Sequence, residues 1–304
     1  MKILITGGSG LLGKYLHLTE PEGAEVEYTW YSTHQPWCAH RLDVADQAQV
    51  DYVFGKVKPQ IVIHMAGIGN VDFCQDNYQI AWQANTEGTR HVMRTAMYYD
   101  AQVLLTSTNA VFSGEDPPYG EEDERRPVNA YGQIRKAAED VALRHDGWVV
   151  RLFLLYGWEP DGARGNWASG GLKMLQAGKR LRMVNDRWYM PTYAEDAARA
   201  VWALLDQGQG RGLKDLGSRV YHVAGESCVT LYTFLRAVAE QWGLDPSLVE
   251  PCSFDELKGL APRPRDTAYR LDRAAELGIA CLGIREGLSL MYEEWLEGAG
   301  GGPG

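Results

Sequence analysis

Short apolar runs alternate with stretches of helical periodicity through the first half of the chain. The runs are rich in Val, Ile, Leu and Tyr, which is typical of buried strands. We predict strands at Lys2–Thr6, Glu25–Tyr31, Ile61–His64, Val103–Thr106, Trp148–Leu152 and Arg219–Val223. The stretches between them predict helices at Leu11–Leu18, Asp46–Lys56, Gln75–Tyr99 and Ala130–Arg144. Strands that alternate with helices indicate an α/β protein with a mostly parallel sheet.

The pattern changes after residue 157. Residues Trp158–Gly171 are rich in Gly, Trp and polar groups, which predicts a loop. A Thr-x-x-Glu sequence predicts a capping box at the start of a helix over Thr192–Leu205, and Ser253–Glu256 is a second box of this kind. From Thr230 onward the pattern favours short helices.

Composition argues against several classes of protein. The net charge is -10 and no long basic tract offsets it, which disfavours nucleic-acid binding. No apolar run approaches the roughly 20 residues of a membrane span. The first strand is predicted to begin at Lys2, which leaves no room for a signal peptide. The 5 cysteines are scattered, so we expect reduced thiols, no metal site and a soluble cytoplasmic protein.

A glycine-rich loop joins the first predicted strand to the first predicted helix. It reads Gly7-Gly8-Ser9-Gly10-Leu11-Leu12-Gly13. Glycines let the backbone turn sharply and approach a pyrophosphate, and the helix N-terminus offers free N–H groups. Because this loop lies inside a strand–helix–strand unit, it predicts a Rossmann domain that binds a nicotinamide dinucleotide.

The end of the second predicted strand bears on the choice between NAD and NADP. An acidic residue there normally binds the 2′-hydroxyl of the NAD ribose. The segment Thr29–His34 contains no carboxylate, and His34 or Arg41 could pair with a 2′-phosphate. The sequence therefore favours NADP without excluding NAD. Asp43 is either a contact to the adenine or simply a cap of the following helix.

These patterns predict two regions with different roles. The dinucleotide-binding domain is expected to span residues 1–157 and to be completed by 190–225. A smaller, mostly helical substrate-binding lobe is expected from 158–189 and 226–297. The glycine-rich segment 298–304 is expected to be disordered.

Several motifs occur in an order that resembles the extended short-chain dehydrogenase/reductase family. They are Gly7–Gly13, His64–Gly67, Ser107–Phe112, Tyr131-Gly132, Pro191-Thr192 with Asp196, and Arg263–Arg265. Within that family they resemble the branch of dTDP-4-dehydrorhamnose reductase and its relative, the regulatory β subunit of methionine adenosyltransferase. The ordered set is more specific than any one of its members.

The resemblance implies a Ser/Thr-Tyr-Lys catalytic arrangement. Thr108 matches the hydroxyl residue that binds the substrate carbonyl, and Tyr131 matches the general acid that protonates the developing alkoxide. Asn85 resembles the asparagine of the family's active-site helix. The lysine position, four residues after the tyrosine, is Arg135. In the family this cation holds the nicotinamide ribose and stabilises negative charge on the tyrosine.

Helix geometry places Arg135 on the same side as the tyrosine. On an α-helix, residue 135 lies about 40° from Tyr131 and residue 136 about 140° away. We therefore expect Arg135, and not Lys136, to face the site. Arginine has the charge of lysine, but its wider planar fork is not interchangeable with an ammonium group at a tight ribose contact.

Two further positions narrow the expected reaction. The related sugar-nucleotide 4,6-dehydratases have an Asp-Glu pair directly after the hydroxyl residue, and the rhamnose-type reductases usually have Asp-Tyr. Here these residues are Asn109 and Ala110, neither of which titrates. Dehydration is therefore disfavoured, and the substrate pocket is expected to differ from that of the rhamnose-type reductases.

The loop pattern and the resemblance together give the predicted contacts. The predicted cofactor contacts are Gly7, Gly10, Leu11, Leu12, Gly13, Ser32, Asp43, Val44, Met65, Ala66, Gly67, Thr106, Tyr131 and Arg135. The predicted substrate contacts are Asp72, Trp158 and Arg187, with Val71, Arg164, Trp167, Trp188 and Tyr189 as further candidates. Aromatic rings can stack on a base or sugar, and arginines bind pyrophosphate, although tryptophan is also a common core residue. Arg263 and Arg265 either take part or only brace the two lobes.

Three functions remain open at this point. The first is an NAD(P)H-dependent reductase of a nucleotide-linked 4-keto-6-deoxy sugar or a similar ketone. The second is a cofactor-binding regulatory subunit, which the change of lysine to Arg135 would suit. The third is an epimerase, which would use the same tyrosine and hydroxyl but regenerate its cofactor. The resemblance also implies a homodimer.

Overall fold

The computed structural model describes residues 1–206 and 212–298. Its strands are β1 (Lys2–Thr6), β2 (Glu25–Trp30), β3 (Cys38–Arg41), β4 (Ile61–His64), β5 (Gln102–Thr108), β6 (Trp148–Leu152), β7 (Leu155–Tyr156), β8 (Leu181–Val184), β9 (Trp188–Tyr189), β10 (Thr192–Tyr193), β11 (Val220–Val223), β12 (Val229–Thr230) and β13 (Val249–Cys252). Its α-helices are α1 (Leu11–Leu18), α2 (Gln47–Val57), α3 (Val71–Asp76), α4 (Tyr78–Trp82), α5 (Gly88–Tyr98), α6 (Ala130–Arg144), α7 (Trp167–Gln176), α8 (Ala194–Leu205), α9 (Leu231–Gln241), α10 (Asp272–Ala275) and α11 (Ile284–Gly298).

Parallel strands form one central sheet, which has seven strands within the described ranges. Their order is β11-β6-β5-β4-β1-β2-β3. Side chains alternate between two buried layers, so that Ile3 and Ile5 pack on one face and Leu4 on the other. The strands β2 and β3 lie on one side of β1, and the next strand along the chain, β4, lies on its other side. Such a reversal of strand order opens a crevice at the carboxyl ends of the strands. The predicted doubly wound Rossmann fold is confirmed.

The prediction of one long helix over Gln75–Tyr99 is wrong in detail, because the α-helix is interrupted at two places. Asn77 leaves the helical region at φ -126° and ψ 51°, which separates α3 from α4. Residues Gln83–Glu87 then form a turn of π-helix before α5 begins. Such turns are rare and are frequent at functional sites.

Three other local predictions need correction. The strand β3 was not predicted, because Cys38–Arg41 is only 4 residues long and half of it, His40 and Arg41, is polar. The loop predicted over Trp158–Gly171 ends early, since the Asn166 side chain caps α7 by accepting from the N–H groups of Ala168 and Ser169. The first predicted capping box is absent, and the helix α8 begins without a side-chain cap. The reason is that the Thr192 hydroxyl donates to the Met190 carbonyl (3.1 Å) instead.

The second predicted capping box is confirmed. The Ser253 side chain accepts from the backbone of the following turn, and the Glu256 side chain accepts from the Ser253 N–H group. The adjoining strand β13 pairs with β8, outside the central sheet. The predicted disordered segment 298–304 lies outside the described residues except for Gly298, at which α11 ends.

The last helix is tied to the first. The Glu294 carboxylate accepts hydrogen bonds from Tyr15 Oη (2.6 Å) and from Lys14 Nζ (2.9 Å). Both partners lie on α1, directly after the glycine loop. The C-terminal segment therefore helps to hold the helix on which that loop ends.

The described residues lack two further kinds of feature. None of their helices has the length and apolarity needed to cross a bilayer. They also contain no group of three or more His, Cys, Asp or Glu side chains placed to hold a metal ion. The five cysteines, Cys38, Cys74, Cys228, Cys252 and Cys281, are free.

Candidate active site

A cleft of about 590 Å³ opens at the carboxyl ends of β1, β4, β5 and β6. Many of the predicted site residues line it, namely Gly7, Gly10, Leu11, Leu12, Gly13, Met65, Gly67, Asp72, Asn85, Thr106, Thr108, Tyr131 and Arg135. The structure thus brings the glycine loop, the hydroxyl residue and the tyrosine to one cleft, although they are distant in sequence.

The glycine loop is packed so closely that side chains would not fit. Gly7 has φ +72°, and a Cβ there would lie 2.7 Å from the Ala66 Cα atom. A Cβ on Gly13 would lie 2.1 Å from the Gly8 carbonyl oxygen. No side chain caps α1 at Gly10, so the first N–H groups of the helix stay available to a ligand. This geometry fits a pyrophosphate group, which binds at such a helix N-terminus.

The hydroxyl of Thr108 lies at the end of β5. Its Oγ1 atom accepts from the Ala110 N–H group (3.2 Å) and lies 3.3 Å from the Asn109 side-chain oxygen. The helix α6 begins directly against this turn, because a Cβ on Gly132 would lie 2.1 Å from the Ala110 carbonyl oxygen. The close approach brings Tyr131, in the first turn of α6, into the cleft that Thr108 lines.

Arg135 lies one turn after the tyrosine and is 6% exposed. Its Nη1 donates to the Asn85 side-chain oxygen (3.2 Å), and its Nη2 donates to the Thr106 carbonyl. Its Nε atom has no partner among the described residues. Arg135 therefore faces the cleft, as predicted, but the protein itself binds part of its guanidinium.

Asn85 is the partner that orients this arginine. It lies in the π-helical turn and is 1% exposed. Its Nδ2 donates to the carbonyls of Ala81 (2.9 Å) and Ile68 (3.3 Å), which fixes its Oδ1 toward Arg135. The amide is thus fully engaged within the protein.

His64 is buried beneath the glycine loop and is not exposed to the cleft. Its ring nitrogens lie 2.7 Å from the Thr6 hydroxyl and 3.2 Å from the Thr89 hydroxyl. Burial, together with the nearby Arg135 charge, lowers the pKa of His64 to about 3, so the ring is neutral. The Thr6 hydroxyl in turn accepts from the Met65 N–H group (3.3 Å). His64 therefore supports the loop structurally.

An ion pair closes one wall of the cleft. Both carboxylate oxygens of Asp72 lie 2.9 Å from Arg263 Nη2, and one also accepts from the Ala261 N–H group (2.9 Å). Asn109 holds the same segment by donating to the Thr267 hydroxyl (2.7 Å). The segment 261–267 is thereby tied to the helix α3, which follows β4, and to the turn that follows β5.

Other residues of the cleft supply aromatic and cationic groups. Arg164, Trp167, Trp188 and Tyr189, which were candidates, supply these groups. The lining also includes residues that were not candidates, namely Ile68, Asn129, Leu152 to Leu155, Leu231 and Thr267. Trp167 is 44% exposed. The Leu152–Leu155 segment could have been found from the rule that ligands bind at the carboxyl ends of parallel strands. The remaining missed residues carry no recognisable motif.

Comparison with known proteins identifies the family of this chain. The family model described as RmlD substrate binding domain matches residues 1–296. The chain belongs to the RmlD substrate binding domain family. The resemblance to the extended reductases is thereby confirmed.

Curated relatives of this RmlD-family chain have different names. It is 28% identical over 297 residues to the spore coat polysaccharide biosynthesis protein SpsK of Bacillus subtilis, covering 96% of this chain and 97% of that protein. It is 30% identical over 289 residues to dTDP-4-dehydrorhamnose reductase of Mycobacterium tuberculosis, covering 92% and 88%. It is 27% identical over 296 residues to methionine adenosyltransferase 2 subunit beta of Xenopus tropicalis, covering 94% and 87%.

Solved structures agree with this family. The crystal structure of a dTDP-4-dehydrorhamnose reductase from Clostridium acetobutylicum matches with a TM-score of 0.84 and 27% identity. The match covers 97% of this chain and 100% of that one. The similarity therefore includes the C-terminal region as well as the Rossmann sheet.

Some predicted contacts of this RmlD-family chain lie outside the lining of the cleft. The Trp158 indole donates to the Met291 carbonyl (2.8 Å), so its ring packs inside the C-terminal region. Arg187 donates to the Asp186 carbonyl (2.9 Å) and lies over the Phe254 ring at 5.0 Å. Both side chains make contacts within the fold and neither lines the cleft, so their role as substrate contacts stays a prediction.

Four predicted cofactor residues also lie outside that lining. Asp43 accepts from the Ala45 N–H group (2.9 Å) in the turn before α2, but the side chain that caps α2 is Asp46, so Asp43 is not the helix cap of its alternative interpretation. Val44 is buried beneath Gly88. Ala66 packs on the glycine loop, and Ser32 is exposed after β2. None of these four residues lines the cleft.

Proposed function

We propose that this chain is an NAD(P)H-dependent reductase that acts on a carbonyl group of a nucleotide-linked deoxy sugar. The observation that supports it most directly is the single cleft lined by the glycine loop, by Thr108 and by Tyr131. The oxidoreductase class agrees with the names of the reductase relatives.

The chain's own residues have distinct roles in this proposal. A bound nicotinamide would supply the hydride. The loop Gly7–Gly13 holds the pyrophosphate by its backbone. The Thr108 hydroxyl donates to the carbonyl oxygen of the substrate and orients it. Tyr131 then transfers its phenolic proton to that oxygen, so that the carbonyl becomes an alcohol.

Arg135 supplies positive charge next to this tyrosine. A cation stabilises the negative charge that remains on a phenol after proton transfer. Because the protein itself binds Nη1 and Nη2, we propose that Arg135 acts mainly through its charge.

We propose a preference for NADPH over NADH. No carboxylate follows β2 in the loop 31–37, and the guanidinium of Arg41, at the end of the edge strand β3, lies 5.6 Å from the centre of the Trp30 ring. An arginine at this position suits a 2′-phosphate, which it can bind through two N–H groups. Solved structures with this fold hold either NADP or NAD, so the fold alone does not choose between them.

The substrate class rests on the remaining wall of the cleft. Trp167 and Trp188 offer ring faces for a base or sugar, and Arg164 is exposed at the same cleft. In the described part of the chain no hydrogen bond or ion pair involves the Arg164 side chain. An uncommitted arginine beside aromatic rings suits a nucleoside diphosphate. The named relatives that act on dTDP-linked keto sugars support this class.

The proposal is tested by cofactor consumption. Purified protein is mixed with NADPH or NADH and a panel of dTDP- and UDP-linked 4-keto-6-deoxy sugars. We expect stoichiometric loss of the reduced nicotinamide with at least one sugar. Product formation without net consumption would instead indicate an epimerase.

A regulatory subunit is the second candidate. The hydrogen bonds of the Arg135 guanidinium to Asn85 and to the Thr106 carbonyl favour this candidate. A lysine at position 135 would leave those two acceptors free. The similarity to methionine adenosyltransferase 2 subunit beta agrees with it. Dinucleotide binding without turnover of any keto sugar would support this candidate.

We also propose that the protein is a cytoplasmic homodimer. This rests on the family resemblance and the scattered cysteines, and light scattering of the purified chain tests the oligomeric state.

A further inference from the structure

A row of buried polar side chains crosses three neighbouring strands behind the candidate site. Ser107 on β5 is in register with Arg151 on β6, which is in register with His222 on β11. Their exposed fractions are 7%, 2% and 0%. Buried polar groups in the middle of a sheet are costly unless they are satisfied, so this row needs a partner.

Glu139 on α6 is that partner, and it is 0% exposed. Its carboxylate accepts from the Ser107 hydroxyl and from Arg151, through Nε (3.0 Å) and Nη2 (2.9 Å). Arg125 Nη1 donates to the same carboxylate (2.9 Å). The buried negative charge is thus compensated by two arginines and one hydroxyl.

His222 completes the row as a neutral acceptor. Arg151 Nη1 lies 3.0 Å from His222 Nε2. Because a guanidinium only donates, Nε2 must accept and the ring proton must be on Nδ1. Burial and the Arg151 charge lower the pKa of His222 well below its usual range, in agreement with this assignment. The direction of this hydrogen bond is therefore fixed, and the Nδ1–H group has no hydrogen-bond partner among the described residues.

The row meets the candidate site at a defined place. Tyr131, Arg135 and Glu139 are spaced by four residues, so they follow one face of α6. Arg135 donates to the Thr106 carbonyl, and Glu139 accepts from the next residue, Ser107. The helix with the proton donor is thus joined to β5 at the two residues directly before Thr108.

We propose that Ser107 and Glu139 form a positioning pair that sets the Thr108 hydroxyl relative to the Tyr131 phenol. Ser107 lines the cleft, but its hydroxyl donates to Glu139, so in this proposal neither residue takes part in proton transfer. Their hydrogen bond fixes the register of α6 against β5, and a reacting geometry loses rate steeply with small displacements. The effect on turnover rests on the proposed function, whereas the effect on geometry does not.

The test is Ser107→Ala, which removes one hydroxyl and leaves the Arg151–Glu139 pair intact. Thr95→Val is the matched control. The Thr95 hydroxyl is also buried and donates to a carboxylate, Asp51 Oδ1 (2.7 Å), but at a place that does not line the cleft. We expect kcat with a keto sugar to fall at least about ten-fold in Ser107→Ala, with KM for the cofactor unchanged. We expect Thr95→Val to keep its kcat. Equal kcat values in the two variants would overturn the pairing.

A second readout needs no turnover. Protein that contains 3-fluorotyrosine is studied by fluorine NMR without cofactor, and the Tyr131 resonance is identified from its absence in Tyr131→Phe. We expect Ser107→Ala to shift this resonance and Thr95→Val to leave it unchanged. If wild-type protein reduces no keto sugar while the shift is present, the proposed function fails and the positioning pair stands. An unshifted resonance in Ser107→Ala contradicts the positioning pair whatever the activity.

Discussion

Arg135 donates a hydrogen bond from Nη1 to the side-chain oxygen of Asn85 across 3.2 Å, and both side chains are buried. The contact links α6 to the π-helical turn. A lysine at this position would reach less far and has a single nitrogen, so it could not bind both Asn85 and the Thr106 carbonyl in the same way. The structure around residue 135 is therefore built for arginine.

This relationship predicts the result of Arg135→Lys. We expect kcat to fall, because the charge moves away from its two acceptors. We also expect the free energy of unfolding to fall by about 1–3 kcal/mol, since a buried acceptor loses its donor. Steady-state kinetics and urea unfolding measure the two effects. A rise in kcat would show instead that arginine impairs the native site, as the regulatory alternative requires.

The glycine loop gives a prediction with a matched control. Gly7 and Gly23 have nearly the same backbone conformation, with φ +72° and φ +77°, but only Gly7 has neighbours that a Cβ would meet. Alanine at either position costs about 1–2 kcal/mol of backbone strain. Gly7→Ala should also weaken dinucleotide binding roughly ten-fold or more, because at least one hydrogen bond to the pyrophosphate is lost. Fluorescence titration with NADPH should show no such loss in Gly23→Ala. Equal affinities would contradict the role of this loop.

Arg41 should decide the preference for NADPH. If it binds the 2′-phosphate, Arg41→Ala raises the Kd for NADPH about ten-fold, because a hydrogen bond to a charged group is lost. The Kd for NADH should not change, since NADH lacks that phosphate. Competitive titration of both cofactors measures the difference. A parallel change in both values would mean that Arg41 acts on the loop and not on the phosphate.

The buried His64 makes stability depend on pH. Its pKa is lowered to about 3 by burial and by Arg135, from 6.5. Between these values the unfolded chain binds a proton that the native state excludes, so stability is lost as the pH falls below 6.5 toward 3. One such proton gives a slope of about 1.4 kcal/mol per pH unit.

Urea unfolding of His64→Gln at several pH values checks this slope. We expect the dependence on pH to flatten in this variant and to persist in His145→Gln, whose side chain is exposed. An unchanged slope in His64→Gln would show that another group takes up the proton.

Much of the Rossmann sheet could be predicted because its strands are short, buried and separated by helices. The predicted helix Ala130–Arg144 and the predicted strand Trp148–Leu152 agree with the structure at both ends. The strand β3 could not be predicted in this way, since only Cys38 of its residues is buried. The capping box at Thr192 failed because a threonine side chain can bind other backbone groups nearby, here the Met190 carbonyl.

The candidate site was predictable where local sequence determines local geometry. The glycine loop and the spacing from Tyr131 to Arg135 are of this kind. Tertiary packing decides the rest. Trp158 lies in a loop whose composition is typical of a ligand contact, but its indole donates to the Met291 carbonyl. No local sequence pattern distinguishes a tryptophan that contacts a ligand from one that packs within the fold. The row from Ser107 to His222 was also missed, because its members come together only when three strands are in register.

The most direct test of the proposed reductase is turnover in Tyr131→Phe. Removal of the phenolic proton donor should lower kcat for keto-sugar reduction by about 100- to 10,000-fold, while NADPH binds with unchanged affinity. Tyr98→Phe, at an exposed tyrosine on α5, is the control and should retain full activity. Wild-type consumption of NADPH that is lost in Tyr131→Phe with cofactor binding intact is the predicted result. Reduction at the wild-type rate in Tyr131→Phe would contradict the mechanism.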